Sequence, residues 1–346
     1  MNTRRFVPLC ALAMAIMLPA PAGAQNQPIA KTWTAPLTPD GHPDLAGTWL
    51  DSSATPLERP KELAGRQSLT NAEVLELKKR ADRLFKSDKG DYAAGDNVFL
   101  AALANPDRFS NPNATCKSDV TPEREFDNRT SLIVDPPDGK IPAFTPEAQR
   151  KQSALRNATA AGLSPPAGPE DLNAAIRCIT PGVPRLGGRY GAGDYGYYQI
   201  TQTPEHVVLF NEIMHQTRII PLDGRPHLPP SIRTWDGDSR GRWDGKTLVV
   251  DTTNFSEKSN FMGSSENLHL TERFTRVAAD EIRYEVTMDD PTVWTRPWTV
   301  MVRLRRTKEM LYENACHEGN HPLEDILTGA RAQEKAAEDA AAKPEK

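Results

Sequence analysis

The sequence predicts a mainly β protein: an antiparallel up-and-down barrel of about eight or more strands, with helical and Pro-rich loop insertions in its N-terminal half. Three observations carry this. From Tyr197 onward, short runs rich in β-branched and aromatic residues are separated by compact turns. Within 282–288 the alternation is clean, with Ile282, Tyr284, Val286 and Met288 on one face and Arg283, Glu285 and Thr287 on the other. Asp244-Gly245, between Arg240–Trp243 and Lys246–Thr253, is a hairpin signal of the type I′ kind.

Residues 1–24 read as a signal peptide. Arg4 and Arg5 give the positive start, Phe6–Leu18 the apolar core, and Ala22-Gly23-Ala24 the cleavage site. That core is too short for a membrane span, so the mature protein is expected to be exported, periplasmic or extracellular. Residues 25–320 are expected to form one barrel domain with an insertion at 60–195. Gly47-Thr48-Trp49 begins its first strand. Thr70-x-x-Glu73 is a capping box, and Val74, Leu77, Ala81 and Leu84 recur at helical spacing, predicting a helix over about 70–86. Residues 87–128 read as irregular. Ser131–Val134 and Ile141–Phe144 flank Pro137-Asp138-Gly139 and predict a hairpin. Thr145 then caps a helix over about 146–157 with Pro146 in its first turn.

Tyr197–Gln202, His206–Ile213, Arg218–Pro221, Arg240–Trp243, Lys246–Thr253, His269–Val277 and Ile282–Met288 are predicted strands. Trp298–Arg306 and Leu311–Ala315 complete a last hairpin. The segment 321–346 reads as a polar helical tail.

Composition excludes some classes. The formal charge is −4 over 346 residues, with bases and acids interspersed, so no basic footprint for nucleic acid appears. The 30 prolines exceed the usual share of about 5% and mark many fixed loops. No phosphate loop, dinucleotide fingerprint or nucleophile elbow is present, so no cofactor is expected. His317-Glu318-Gly319-Asn320-His321 nearly matches a zinc motif, but Gly319-Asn320 followed by Pro322 opposes the helix such a motif needs, so no metal site is expected. Beyond the signal lie Cys116, Cys178 and Cys316. A Cys178–Cys316 bridge with Cys116 free is the favoured arrangement, and three reduced thiols are the alternative.

Six of the seven histidines follow residue 200, and histidine suits proton transfer near neutral pH. His215 closes a strand and is followed by Arg218. Arg225 and His227 lie on a loop stiffened by Pro226, Pro229 and Pro230. His269 and Arg273 share one strand face, while Glu272 shares the other with Leu270 and Phe274. If that second face lines the barrel, Glu272 needs a buried cation from Arg218, Arg225 or Arg240. Asp238-Ser239-Arg240 reads as a turn with an internal ion pair. The aromatic residues of this half, Tyr284 among them, either form core or line a pocket.

These residues support an enzyme reading: cofactor-independent acid–base chemistry of lyase, dehydratase or isomerase type on a small molecule in a barrel pocket. His215 or His269 would be the base and Glu272 its partner acid. Arg218, Arg225, His227, Arg273 and Tyr284 would contact substrate. The enzyme reading fails if His215, His227 and His269 lie more than a hydrogen-bonded network apart, or outside any cavity. The alternative is a non-catalytic, lipocalin-like binding protein for an apolar or aromatic ligand.

Two resemblances accompany this. Gly47-Thr48-Trp49 is similar to the first-strand motif of lipocalin-like barrels, whose Trp packs across the closed end; an ordinary strand-anchoring aromatic is the plainer reading. The string 211–255, with Ser265–His269, Asp290-Pro291, Pro297-Trp298 and Ala315–Asn320, resembles a large group of secreted bacterial hypothetical proteins of uncharacterised function. Pro39–Leu45 and Leu132–Gly139 match the same group. The resemblance implies export and a single intact unit, and it implies no catalytic residue.

Overall fold

Strand alternation in the C-terminal half produces one antiparallel sheet curled into a nearly closed barrel. The computed structural model describes residues 33–85, 97–107, 124–160, 165–186 and 196–342. The expected signal peptide, Cys116 and part of the Gly/Tyr-rich loop after Pro181 lie outside the described residues. The strands are β1 (Gly47–Leu50), β2 (Ile133–Asp135), β3 (Tyr197–Gln202), β4 (His206–Asn211) and β5 (Thr217–Pro221), then β6 (Asp238–Asp244), β7 (Thr247–Thr253), β8 (His269–Ala278), β9 (Glu281–Asp289) and β10 (Trp298–Arg306). Their order is β5-β4-β3-β1-β10-β9-β8-β7-β6, with β2 added on β10. Read around the circle this is an up-and-down path, closed where β1 pairs with both β3 and β10. β5 and β6 flank the remaining seam. There Gly241 packs so tightly that a Cβ would lie 2.6 Å from Leu222 and 2.9 Å from Ile220.

The barrel interior is filled by alternate residues. On β8, Leu270, Glu272, Phe274 and Arg276 are buried; on β9, Ile282, Tyr284, Val286 and Met288 are. Trp49 is fully buried and plugs one end. Its Nε1 donates to the Leu45 carbonyl at 2.9 Å, and the Arg276 and Arg306 guanidinium groups stand 5.5 and 5.7 Å from its ring. A lipocalin-like barrel closes in the same way. The opposite end is packed by Phe261, Trp294 and Trp298.

The segment between β1 and β3 carries a second, smaller core. Helix α1 (Asn71–Phe85) starts where the capping box predicts: the Thr70 N–H donates to Glu73 Oε2 at 2.8 Å, and the Glu73 N–H donates to Thr70 Oγ1 at 3.3 Å. Its Leu77, Ala81 and Leu84 pack on α2 (Asn97–Ala104). That second helix corrects the reading of 87–128 as irregular; its apolar run gave no amphipathic period to detect. Helix α3 (Pro146–Ala160) follows.

Two hairpins are corrected. Residues 141–144 form no strand, and β2 pairs with β10 instead; Phe144 makes only an isolated bridge to Trp294. Residues 311–315 also form no strand. The loop Gly245-Lys246 joins Asp244 to Thr247, with positive φ at Gly245 alone. That is the type II′ arrangement rather than type I′. Cys178 and Cys316 are joined as a disulfide. After it, α4 (His321–Ala341) buries only Ala330, and Arg331 donates to the Pro166 and Ala167 carbonyls. His317 precedes the start of α4 at His321, so the two do not share a helical face. No helix among the described residues is long and apolar enough to cross a membrane.

Candidate functional site

Two polar networks lie back to back across β6, β7 and β8. The inner one is the barrel's. Glu272 points inward because β8 alternates, and Arg218 of β5 supplies its cation across the seam. The guanidinium meets the carboxylate through two bonds, at 3.0 and 2.6 Å, and also donates to Ser239 and Thr252 hydroxyls at 2.9 and 3.2 Å. Tyr284 donates to Glu272 Oε1 at 2.8 Å and stacks on Phe274 with 4.5 Å between ring centres. Burial, joined by the Glu272 charge, pushes the Tyr284 hydroxyl well above its usual pKa.

The Glu272 side chain is 1% exposed and the Arg218 side chain 8%. The void beside them, reached by Asn211 and Gln216, is roughly 10 Å³, space for about one water. Among the described residues this interior has no room for an apolar or aromatic ligand. It is a buried ion pair that ties β5 to β8, with the Arg218 Nε left without a partner among the described residues.

The outer network begins one residue away on each strand. Asp238, Asp251 and His269 are the outward neighbours of Ser239, Thr252 and Leu270. A proline-stiffened strap, 222–236, lies over them. It is held down by Asn254, whose side-chain amide donates to the carbonyls of Leu228, Pro229 and Ile232 at 2.9–3.1 Å. The strap brings His227 between two carboxylates: Nδ1 is 2.8 Å from Asp238 Oδ2, and Nε2 is 2.8 Å from Asp251 Oδ1. The other Asp251 oxygen, Oδ2, lies 2.7 Å from His269 Nε2. Asp238 also accepts from the Leu228 N–H at 3.0 Å and from Arg240 at 2.7 Å.

The result is a chain Asp238–His227–Asp251–His269, running from a buried end to a surface end. Asp238 is 7% exposed and His269 44%. His269 Nδ1 has no hydrogen-bond partner among the described residues and faces outward. The bond to Asp251 raises the His269 pKa against the opposing effect of burial, and the Asp251 and Asp289 charges add attraction for its cation. Burial opposes the Asp251 charge, but bonds from His269 and His227 outweigh it and hold that pKa below the usual carboxylate value.

The structure thus regroups the sequence-derived residues. His227 and His269 share one network; His215 does not, so the condition set for all three histidines is not met, and only the His227–His269 pair carries an acid–base reading further. His215 is exposed, with its ring 6.3 Å from that of Phe210. Glu272 is not a partner to either histidine, because period two turns it to the opposite side of β8. Arg218 and Tyr284 are its buried partners, out of reach of solute. Arg225 folds back on Asp223 at the surface, and Asp223 is lowered to about 2 by that contact. Arg273 lies on the outer face of β8, four residues along the strand from His269, and is paired with Asp244 at 3.0 Å.

Asp238 and Asp251 went unrecognised in the sequence. Asp238 read as a turn residue, and Asp251 was hidden inside the apolar run of β7. The available signal was Asp251 itself, an acid between Val250 and Thr252 on a strand facing outward. Arg233 was also missed; it donates to the carbonyls of Phe255 and Glu266, close in sequence to His269. Among the described residues no group of three or more His, Cys, Asp or Glu side chains is placed to hold a metal ion. No protein-family model, curated protein or solved structure matches the chain.

Proposed function

We propose that the protein is an exported enzyme that performs cofactor-independent acid–base chemistry, of lyase, dehydratase or isomerase type, on a small molecule at the outer rim of its barrel. The observation that carries this is the His269–Asp251 pair. Asp251 takes the Nε2 proton, so the neutral ring keeps its lone pair on the solvent-facing Nδ1. That nitrogen removes a proton from a carbon acid, and Asp251 stabilises the imidazolium that forms. The proton then goes to a leaving hydroxyl or back to a neighbouring carbon. The raised pKa of His269 favours its acid form at the return step. Arg233, whose Nη1 donates to the Glu266 carbonyl just before β8, is the cation assigned to a developing oxyanion. Export is supported by the Cys178–Cys316 disulfide, since such bonds persist in oxidising compartments.

The test is turnover in deuterated water with a panel of hydroxy, keto and sugar acids, read by proton NMR for deuterium incorporation or loss of water. Turnover is expected to fall about 10²-fold or more in His269→Ala and to be unchanged in His215→Ala. Undiminished turnover in His269→Ala, or none across the panel, would overturn the reading.

A further inference from the structure

We infer that His227, carried in by the strap and fixed by Asp238, is a positioning residue that sets how Asp251 holds His269. This rests on the acid–base reading of His269. Three nitrogen–carboxylate contacts of 2.7–2.8 Å join the four side chains. His227 presents both ring nitrogens to carboxylates, Nδ1 to Asp238 and Nε2 to Asp251, so it bridges the buried and the half-exposed acid.

The anchor for this arrangement is on β6. Asp238 takes donors from His227, Leu228 and Arg240, and Arg240 Nε reaches the Pro226 carbonyl at 3.0 Å. The His227 ring therefore has little freedom to turn. Asp251 has more: its side chain is 30% exposed, and a lone carboxylate on a strand rotates about its last bond. His227 removes that freedom by taking Oδ1, which presents Oδ2 to His269.

Two consequences follow for His269. Its neutral form is confined to one tautomer, with Nε2 protonated and Nδ1 open. Its affinity for a second proton is also restrained. The charges facing it are Asp251 on β7 and Asp289 on β9, with His227, Asp238 and Arg240 behind Asp251. With His227 on Oδ1, the Asp251 carboxylate is shared between two ring nitrogens rather than given wholly to His269. Without His227, Asp251 and Asp289 would hold His269 protonated over a wider range and leave less free base near neutral pH.

The measurement is ¹⁵N NMR of the imidazole rings in the folded, disulfide-bonded protein, titrated in the wild type, His227→Phe, His227→Gln and Asp238→Asn. In the wild type, neutral His269 is expected as the single Nε2–H tautomer. In His227→Phe the tautomers should mix and the His269 midpoint should rise by about half a pH unit or more. His227→Gln keeps an amide donor for Asp251 Oδ1, so it should recover the tautomer and the midpoint toward the wild-type values. Asp238→Asn preserves shape and removes the anchor's charge. It should raise the midpoint less, and it is the variant to read if His227→Phe does not fold. An unchanged tautomer and midpoint in these variants, or a midpoint that falls, would overturn the positioning role. Those results would leave the base role of His269 standing. Undiminished turnover in His269→Ala would remove the base role and leave the NMR result intact.

Discussion

His269 Nε2 meets Asp251 Oδ2 at 2.7 Å while His269 Nδ1 faces solvent, so one edge of the ring is anchored and the other is free. Asp251→Asn removes the charge but keeps the shape. The His269 midpoint is then expected to fall toward the ordinary value of 6.5, because both the charged acceptor and its attraction are gone. An NMR titration of the variant checks this, and a midpoint equal to the wild type's would refute the pairing.

The same pair makes stability depend on pH in a defined window. His269 has a raised folded pKa, so its contribution is complete below 6.5 and is lost as pH rises through the higher folded value. Asp251 has a lowered folded pKa, so its contribution is complete above 3.8 and is lost as pH falls through the lower folded value. The pair therefore stabilises most between 3.8 and 6.5. Subtracting the stability curve of His269→Gln from that of the wild type should leave a difference confined to that range and its flanks.

Inside the barrel the expected effect is on stability alone. Glu272→Ala leaves Arg218 buried without its carboxylate, and breaking such a pair costs about 3–5 kcal/mol. Replacing both partners, as in Arg218→Met with Glu272→Leu, should recover most of that loss, because no charge remains to be desolvated. Urea unfolding of the single and double variants measures both. Equal stability of the single variant and the wild type would show that the pair does not bind β5 to β8.

The seam between β5 and β6 gives a further prediction. Gly241 leaves no space for a Cβ beside Ile220 and Leu222. Gly241→Val should therefore force the seam apart and cost about 1–3 kcal/mol. Gly224→Ala is a less useful control, since its φ of +74° is itself strained for a side chain. Thermal melts of Gly241→Val against the wild type decide the matter, with faster amide exchange expected along β5 and β6.

Export has its own readout. Protein recovered from the culture medium or periplasm should begin at Gln25 by N-terminal sequencing. Peptide mapping without reductant should recover Cys178 and Cys316 linked. A cytoplasmic product that keeps residues 1–24 would contradict this reading.

The sequence by itself determined the local order of this protein. Alternation in Ile282–Met288 specified β9, because period two is a property of the chain alone. The Thr70–Glu73 box specified the start of α1, because its hydrogen bonds span three residues. The same alternation separated Glu272 from His269 by face, and it required a buried cation if the Glu272 face turned inward.

Only the tertiary structure decided the rest. Which of three arginines answers Glu272 depends on how the barrel closes, and closure at the β5–β6 seam brings the Arg218 side chain to Glu272 of β8, 54 residues away in the chain. The site depends on closure in the same way. Asp238 and Asp251 are ordinary strand residues until β6 and β7 pair, and His227 reaches them only because the strap folds back over their outward face. No local pattern encodes that return. Interactions among residues close in the chain fix elements, while the meeting of Asp238, His227, Asp251 and His269 is a property of the closed barrel.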